Sequence, residues 1–217
     1  MTPELLSGLP EAERRRVAEL MVRRHFSRGE SLFHEGDLAD CVHFIVDGHI
    51  VVQRTTPAGD RAAFTVMGPG EAVGELALLS PDGRRSSSVQ ALEPVVTLAL
   101  DARAFAALTA QRPEVNRLLV DLLAARVRRL SDHLVDALYS TVEERVRRRL
   151  VDLCGIYGVE HGQAVLPLTQ SDLAELSGAS RPATNRVLKG LAERGLVVLA
   201  RGRIHLPDVA ALRALVQ

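Results

Sequence analysis

The sequence predicts an α+β protein: a glycine-punctuated β-roll, then one long helix, then a small domain of short helices and a hairpin. Three observations predict it. Short β-branched apolar stretches broken by glycines fill residues 26–100, an apolar stripe with heptad spacing follows Pro113, and two short capped helices flank Gly178. Turn signals roughly 8–12 residues apart are those of an antiparallel roll or sandwich.

The totals admit this organisation and exclude others. A chain of 217 residues, 47% hydrophobic and 25% charged, has room for two modest domains with cores of their own. No apolar run approaches the roughly 18 residues that span a bilayer, and the acidic, proline-containing N-terminus is not a signal peptide. A cytoplasmic protein without a membrane partner is expected. Cys41 and Cys154 stand far apart with no C-x-x-C pair, which argues against a disulfide framework or structural zinc. They are too few for an iron–sulfur cluster, which needs about four thiolates, and read as small buried or half-buried residues. The net charge of zero conceals an asymmetry: residues 140–217 carry 11 Lys+Arg against 8 Asp+Glu, and residues 1–139 carry 16 against 19. The C-terminal end is the one to inspect for a polyanionic partner.

Along the chain, residues 4–24 read as short helices built on Leu5, Leu6, Leu9, Val17, Leu20 and Met21. Val42–Val46, Ile50–Val52, Phe64–Met67 and Val95–Leu100 read as strands, with Asp47-Gly48 and Ala58-Gly59-Asp60 as hairpin turns. This first domain is placed at residues 1–112. Pro113 suits the first turn of a helix, and Val120, Leu123, Val127, Leu130, Leu134 and Ala137 then recur in steps of three and four. That stripe marks residues 113–139 as a dimerisation helix, with Leu118, Leu119 and Leu122 free to pack on the β-roll. Residues 140–217 form the last domain. It opens with a helix over 140–158 whose basic face holds Arg145, Arg147, Arg148 and Arg149.

The segment from Leu168 to Lys189 carries the strongest signal. Thr169 N-caps a short helix with Asp172 at its third position, and Leu173, Ala174 and Leu176 give it a buried face. Gly178 supplies the positive φ of a tight turn, and Ser180 caps a second helix that tolerates Pro182 in its first turn. Val187, Leu188 and Leu191 are the buried side of that helix, and Arg181, Thr184, Asn185, Arg186 and Lys189 are expected on its exposed side. This is a helix-turn-helix, whose second helix enters the major groove of double-stranded DNA N-terminus first. Arg181 and Arg186 suit guanine edges, with Thr169, Ser171, Ser180 and Pro182 also expected at the DNA face. Leu196–Leu206 reads as a two-stranded wing with Arg201 and Arg203 placed for phosphate contacts.

A second constellation lies in the β-roll. Gly74-Glu75-Leu76 is followed by Arg85-Ser86-Ser87: a short helical turn with free N–H groups, a carboxylate, an arginine and hydroxyls. That set is an anion nest, in which Arg85 and the amides near Gly74 and Ser86 would hold a phosphate and Glu75 would accept from a sugar hydroxyl.

The two constellations together with Phe33, Glu35-Gly36-Asp37, Pro69-Gly70-Glu71 and the heptad helix occur in a family order. Over residues 5–210 the chain resembles the cyclic-AMP receptor protein/fumarate-nitrate regulator family of bacterial transcription regulators. The resemblance implies a cyclic-nucleotide-binding β-roll, a long dimerisation helix and a C-terminal winged helix-turn-helix. It also implies a homodimer on a palindromic operator, gated by cAMP or another cyclic nucleotide bound at Gly74, Glu75, Leu76, Arg85, Ser86 and Ser87. RNA polymerase is the implied further partner, through the loop Tyr157–Gln163. Where cAMP-binding members meet adenine with a Thr-Ser pair, this chain offers Leu130-Ser131 or His133-Leu134, so Ser131 and His133 join the ligand set. Pro182 stands where many members carry a Glu that reads cytosine, so a different base is expected there. The cysteine cluster of the oxygen-sensing branch is absent.

The seven histidines show no H-x3-H pair or His/Cys cluster, so no metal and no haem are expected. Ser86-Ser87-Ser88 is not a nucleophile elbow, and no enzymatic activity is expected. Two further readings stand beside the gated regulator: a DNA-binding regulator of the same fold that is ligand-independent or differently gated, and a nucleotide-binding regulatory subunit that docks a protein.

Overall fold

The computed structural model describes residues 6–56, 59 and 61–216. Leu5, Ala58 and Asp60, which the sequence reading placed in a helix and a turn, lie outside the described residues. Residues up to 54 together with 67–130 form one compact unit, and 55–66 together with 131–217 a second. That division falls inside the long helix; the sequence reading set its edges at 112 and 139.

Helix α1 (Glu11–Glu19) ends sooner than its arginine-rich sequence suggests, because Val22–Phe26 is already a strand, β1. The helical reading to residue 24 is corrected here: Val22 pairs with Ala99 and Phe26 with Val95, so a neighbouring strand claims this backbone. There follow β2 (Ser31–Phe33), β3 (Cys41–Asp47), β4 (Ile50–Thr55), β5 (Arg61–Met67), β6 (Ala72–Val73), α2 (Glu75–Leu79), β7 (Ser88–Ala91) and β8 (Val95–Asp101). The strands make two antiparallel sheets, in the orders β1-β8-β3-β6 and β2-β7-β4-β5. Asp47-Gly48 does not close a hairpin: β3 lies in the first sheet and β4 in the second, so the turn carries the chain from one sheet to the other. The dipeptide is right for a tight turn, but pairing is decided by β7 and β8. β4 and β5 are neighbours in the second sheet.

β3 is buried on both sides, which explains its near-continuous apolar run. Val42 and Phe44 join Leu100, Phe105, Val115 and Leu119, whereas Ile45 joins Ile50, Val89 and Val95 in a second cluster. Helix α3 (Ala102–Gln111) is N-capped by Asp101, whose carboxylate accepts from the N–H groups of Arg103 and Ala104. Helix α4 (Pro113–Tyr139) starts at the expected proline. It buries Val115 and Leu119 with Leu118 beside them, while Leu122 is half-buried.

In the second unit, α5 (Val142–Tyr157) begins with a capping box between Thr141 and Glu144. β9 (Ala164–Leu166), α6 (Gln170–Leu176), α7 (Arg181–Glu193), β10 (Val198–Ala200), β11 (Arg203–Leu206) and α8 (Val209–Arg213) follow. The wing is a three-stranded sheet, β10-β11-β9, one strand more than the expected hairpin. Val146, Leu150, Leu173, Leu176, Leu188, Leu191, Ile204 and Leu206 supply the unit's core. Both cysteines are free and buried.

Candidate functional site

Gly74 adopts φ 94° at the N-terminus of α2, and a Cβ there would lie 2.4 Å from Nη1 of Arg85. Only glycine lets the Arg85 side chain cross the backbone at this point. Arg85 is 3% exposed. It donates from Nη1 to the Gly74 carbonyl at 3.0 Å, and from Nη2 to the Cys41 carbonyl at 2.8 Å and the Asp40 carboxylate at 3.1 Å. Its guanidinium lies 4.1 Å from the centroid of the Phe33 ring.

Glu75 is fully buried. Its Oε1 accepts from Nη1 of Arg126, which also donates from Nη2 to the Ala72 carbonyl at 2.5 Å. Burial pushes the Glu75 carboxyl above the usual carboxylate range, with Arg126 pulling the other way. Ser86 is exposed, Ser87 half-buried, and Leu76 exposed at the tip of α2. Among the described residues, Oε2 of Glu75 and Nε of Arg85 are both buried without a hydrogen-bond partner. One is a missing donor's acceptor and the other a missing acceptor's donor. A ligand with a sugar hydroxyl and a phosphate carries that complement, so these residues fit a nucleotide.

Arg126 is a residue that the sequence reading missed. The signal was present: Val115, Leu119, Leu122 and Arg126 are spaced i, i+4, i+7, i+11, one stripe of α4 that turns toward the β-roll. Ser131 and His133 belong to the second unit; Ser131 is exposed, and Nε2 of His133 lies 3.0 Å from Nη1 of Arg149. Close to Arg85, His43 pairs through Nδ1 with the Thr97 hydroxyl at 3.0 Å and through Nε2 with the Cys41 sulfur at 3.3 Å. Burial, helped by Arg24 and Arg85, lowers His43 to about 4, and burial raises Cys41 to about 11. At neutral pH the pair is therefore an uncharged imidazole and a protonated thiol, poor material for a metal site or a nucleophile. Among the described residues no three His, Cys, Asp or Glu side chains gather as a metal site would.

In the second unit the caps stand as read. The Thr169 hydroxyl accepts from the Asp172 N–H at 3.1 Å, and the Ser180 hydroxyl from the Ala183 N–H at 3.4 Å. Gly178 has φ 56° in the turn. Pro182, Arg186 and Lys189, spaced i, i+4, i+7, form the exposed ridge of α7, with Arg181 exposed in its first turn. Thr184 is corrected: it is fully buried, because Thr184, Leu188 and Leu191 repeat the same spacing on the opposite, core-facing side. Val187 is half-buried, as are Asn185, Thr169 and Ser171. Arg201 and Arg203 are exposed at the tip of the wing, where Ala200 pairs with Arg203. No helix among the described residues is long and apolar enough to cross a membrane.

Comparison with known proteins accords with both halves of this geometry. Residues 23–112 match the cyclic nucleotide-binding domain family, and residues 144–215 the Crp-like helix-turn-helix domain family. The chain is 34% identical over 186 residues to a CRP-like cAMP-activated global transcriptional regulator of Mycobacterium tuberculosis, covering 84% of this chain and 83% of that one. It is 33% identical over 211 residues to the cyclic AMP receptor protein of Thermus thermophilus, covering 96% and 94%. The fold is also that of FixK2 from Bradyrhizobium japonicum, at TM-score 0.79, 20% identity, and 90% and 96% coverage.

Proposed function

The chain belongs to the Crp/Fnr family of transcription regulators, which are DNA-binding proteins and not enzymes, and on that premise we propose that it is a homodimeric operator-binding regulator gated by a cyclic nucleotide, cAMP first among them. One observation carries the gating: the buried, unpartnered Glu75 Oε2 and Arg85 Nε, of opposite hydrogen-bonding character, in the cyclic-nucleotide-binding domain.

In this reading Arg85, with the amide of Ser86, holds the phosphate, and Ser87 lines its edge. Glu75 accepts from the ribose, and Arg126 holds that carboxylate in orientation. Arg85 leaves its present partners, Asp40 and the Cys41 and Gly74 carbonyls, to do so. The base meets α4 at Leu130-Ser131 or His133-Leu134, on one protomer or its partner. Val120, Val127, Leu130 and Leu134 are 63, 61, 52 and 60% exposed in the single chain, and this stripe packs against the same stripe of a second copy. Two symmetric α7 helices then enter successive major grooves about 34 Å apart. Arg181 and Arg186 read base edges, Ser180, Asn185 and Lys189 flank them, and Thr169, Ser171, Arg201 and Arg203 contact the backbone. The loop Tyr157–Gln163 faces RNA polymerase in the cytoplasm. The effector acts by binding the DNA-competent dimer better than the incompetent one.

A second reading has an observation of its own: Arg85 is already held by three protein oxygens, which suits a closed β-roll in a regulator gated otherwise. The test selects an operator from random DNA with purified protein, in parallel with cAMP, with cGMP and without nucleotide, then titrates each nucleotide at fixed salt. A rise in operator affinity with either nucleotide is the expected result. Nanomolar operator binding that neither nucleotide alters would overturn the gating.

A further inference from the structure

The last carbonyls of a helix have no partner inside it, and a cation beside them is favoured by the helix dipole. Helix α4 ends at Tyr139 and α6 at Leu176, so the carbonyls of Ser140, Ser177 and Gly178 lie just past two helix C-termini. One side chain serves all three. Arg145 donates from Nη1 to the Ser140 carbonyl at 2.8 Å, from Nε to that of Ser177 at 3.1 Å, and from Nη2 to that of Gly178 at 3.2 Å.

The helix that carries Arg145 is itself anchored. The capping box of Thr141 and Glu144 fixes the start of α5. Arg148 pairs with Asp136 and donates to the Ser140 hydroxyl at 3.0 Å, which holds the end of α4 to α5. Ser177 and Gly178 begin the turn that sets the angle between α6 and α7.

We infer that Arg145 is a positioning residue for DNA reading: by capping α4 and α6 with one guanidinium, it makes the direction of α4's last turn fix the direction of α7. The inference rests on α7 being the recognition helix. Lysine cannot replace the arginine, because its donors radiate from one point and do not fork across three carbonyls.

The test uses the full chain with Arg145→Ala and Arg145→Lys. Spin labels go on Asp132→Cys and Arg194→Cys, both exposed positions, since native Cys41 and Cys154 are buried. Labelled protein is diluted with unlabelled protein, and the pair distance is read by pulsed electron resonance. The expected result is a narrow distribution with Arg145 and a broadened one in both variants, at unchanged helix content by circular dichroism. Affinity for an operator selected with the unsubstituted protein is expected to fall on the order of ten-fold in both, a loss about the size of one charge-assisted hydrogen bond at the low end of its range. The lysine variant keeps charge and stem, so it serves if the alanine variant loses helix content. An unchanged distance distribution overturns the inference, as does full recovery of distance and affinity by lysine. Failure of the unsubstituted protein to select any operator, with cAMP, with cGMP or without either, overturns the DNA reading instead, and is told apart because it needs no substitution.

Discussion

Thr184 and His43 show how much a single side chain's neighbours decide. Thr184 is a hydroxyl on the core side of α7, and among the described residues its Oγ1 has no hydrogen-bond partner. A buried, unpaired hydroxyl costs about 1–3 kcal/mol relative to an apolar group of the same shape. Thr184→Val is therefore expected to raise the unfolding free energy by about 1 kcal/mol, measured by urea denaturation, and to leave operator affinity within about two-fold. A ten-fold loss of affinity without loss of stability would return Thr184 to the DNA face. His43 is a pH device chiefly by burial, with Arg24 and Arg85 adding to it. Its folded value of about 4 lies below the ordinary 6.5, so the folded state keeps the imidazole neutral where the unfolded chain takes up a proton. The stability that neutrality provides is fully present above pH 6.5 and is lost as pH falls through about 4. Over that window the loss amounts to about 3 kcal/mol at most. His43→Gln keeps hydrogen-bonding atoms without the titration, so its denaturation midpoint is expected to decline less between pH 6.5 and 4 than that of the unsubstituted chain. Parallel declines would mean that other groups set the acid limb.

At the scale of elements, whatever was locally encoded was legible in the sequence. Thr169 with Asp172, Ser180 with Ala183 and Gly178 fix helix ends through contacts three or four residues away, so the helix-turn-helix could be written down residue by residue. Pro113 located the start of α4 for the same reason. The sheet pairing was not legible, because Asp47-Gly48 encodes a turn but not which strand its flanks will meet. The start of β1 was missed because its partner, β8, is about 75 residues away in sequence. The site divided likewise: Gly74, Glu75 and Arg85 came from their spacing, whereas Arg126 and the Asp40 contact needed the fold to bring α4 and the β3 entrance alongside. The α4 stripe offers the prediction that belongs to this scale. Leu130 and Leu134 are exposed in the single chain, and burying each in a dimer is worth about 1.5–3 kcal/mol. Leu130→Glu with Leu134→Glu is expected to weaken dimerisation at least on the order of a hundred-fold by sedimentation equilibrium, with helix content kept by the Val115–Leu119 side. An unmoved dimer would place the seam elsewhere.

For the whole molecule, the proposed gating is a linkage between the β-roll and the helix-turn-helix domain. If one effector shifts one equilibrium between competent and incompetent dimers, the factor by which it raises operator affinity must equal the factor by which operator raises its own affinity. Both factors are measurable, one by operator titration with saturating cAMP and one by calorimetry of cAMP with and without operator. Arg85 is the residue on which they are expected to depend, because its guanidinium is held by the Gly74, Cys41 and Asp40 oxygens and is proposed to leave them for the phosphate of the effector. Arg85→Ala is accordingly expected to bring both factors to one. It should leave the dimer intact, because the proposed seam draws on Val120, Val127, Leu130 and Leu134, exposed in the single chain, and on nothing from the cassette. Coupling energies of this kind usually run about 1–3 kcal/mol, or roughly 5–150-fold, so the change lies well within reach of either measurement. Factors already at one before substitution would mean that the β-roll does not gate through cAMP. Factors above one that survive Arg85→Ala would keep the gate but move the phosphate to another residue.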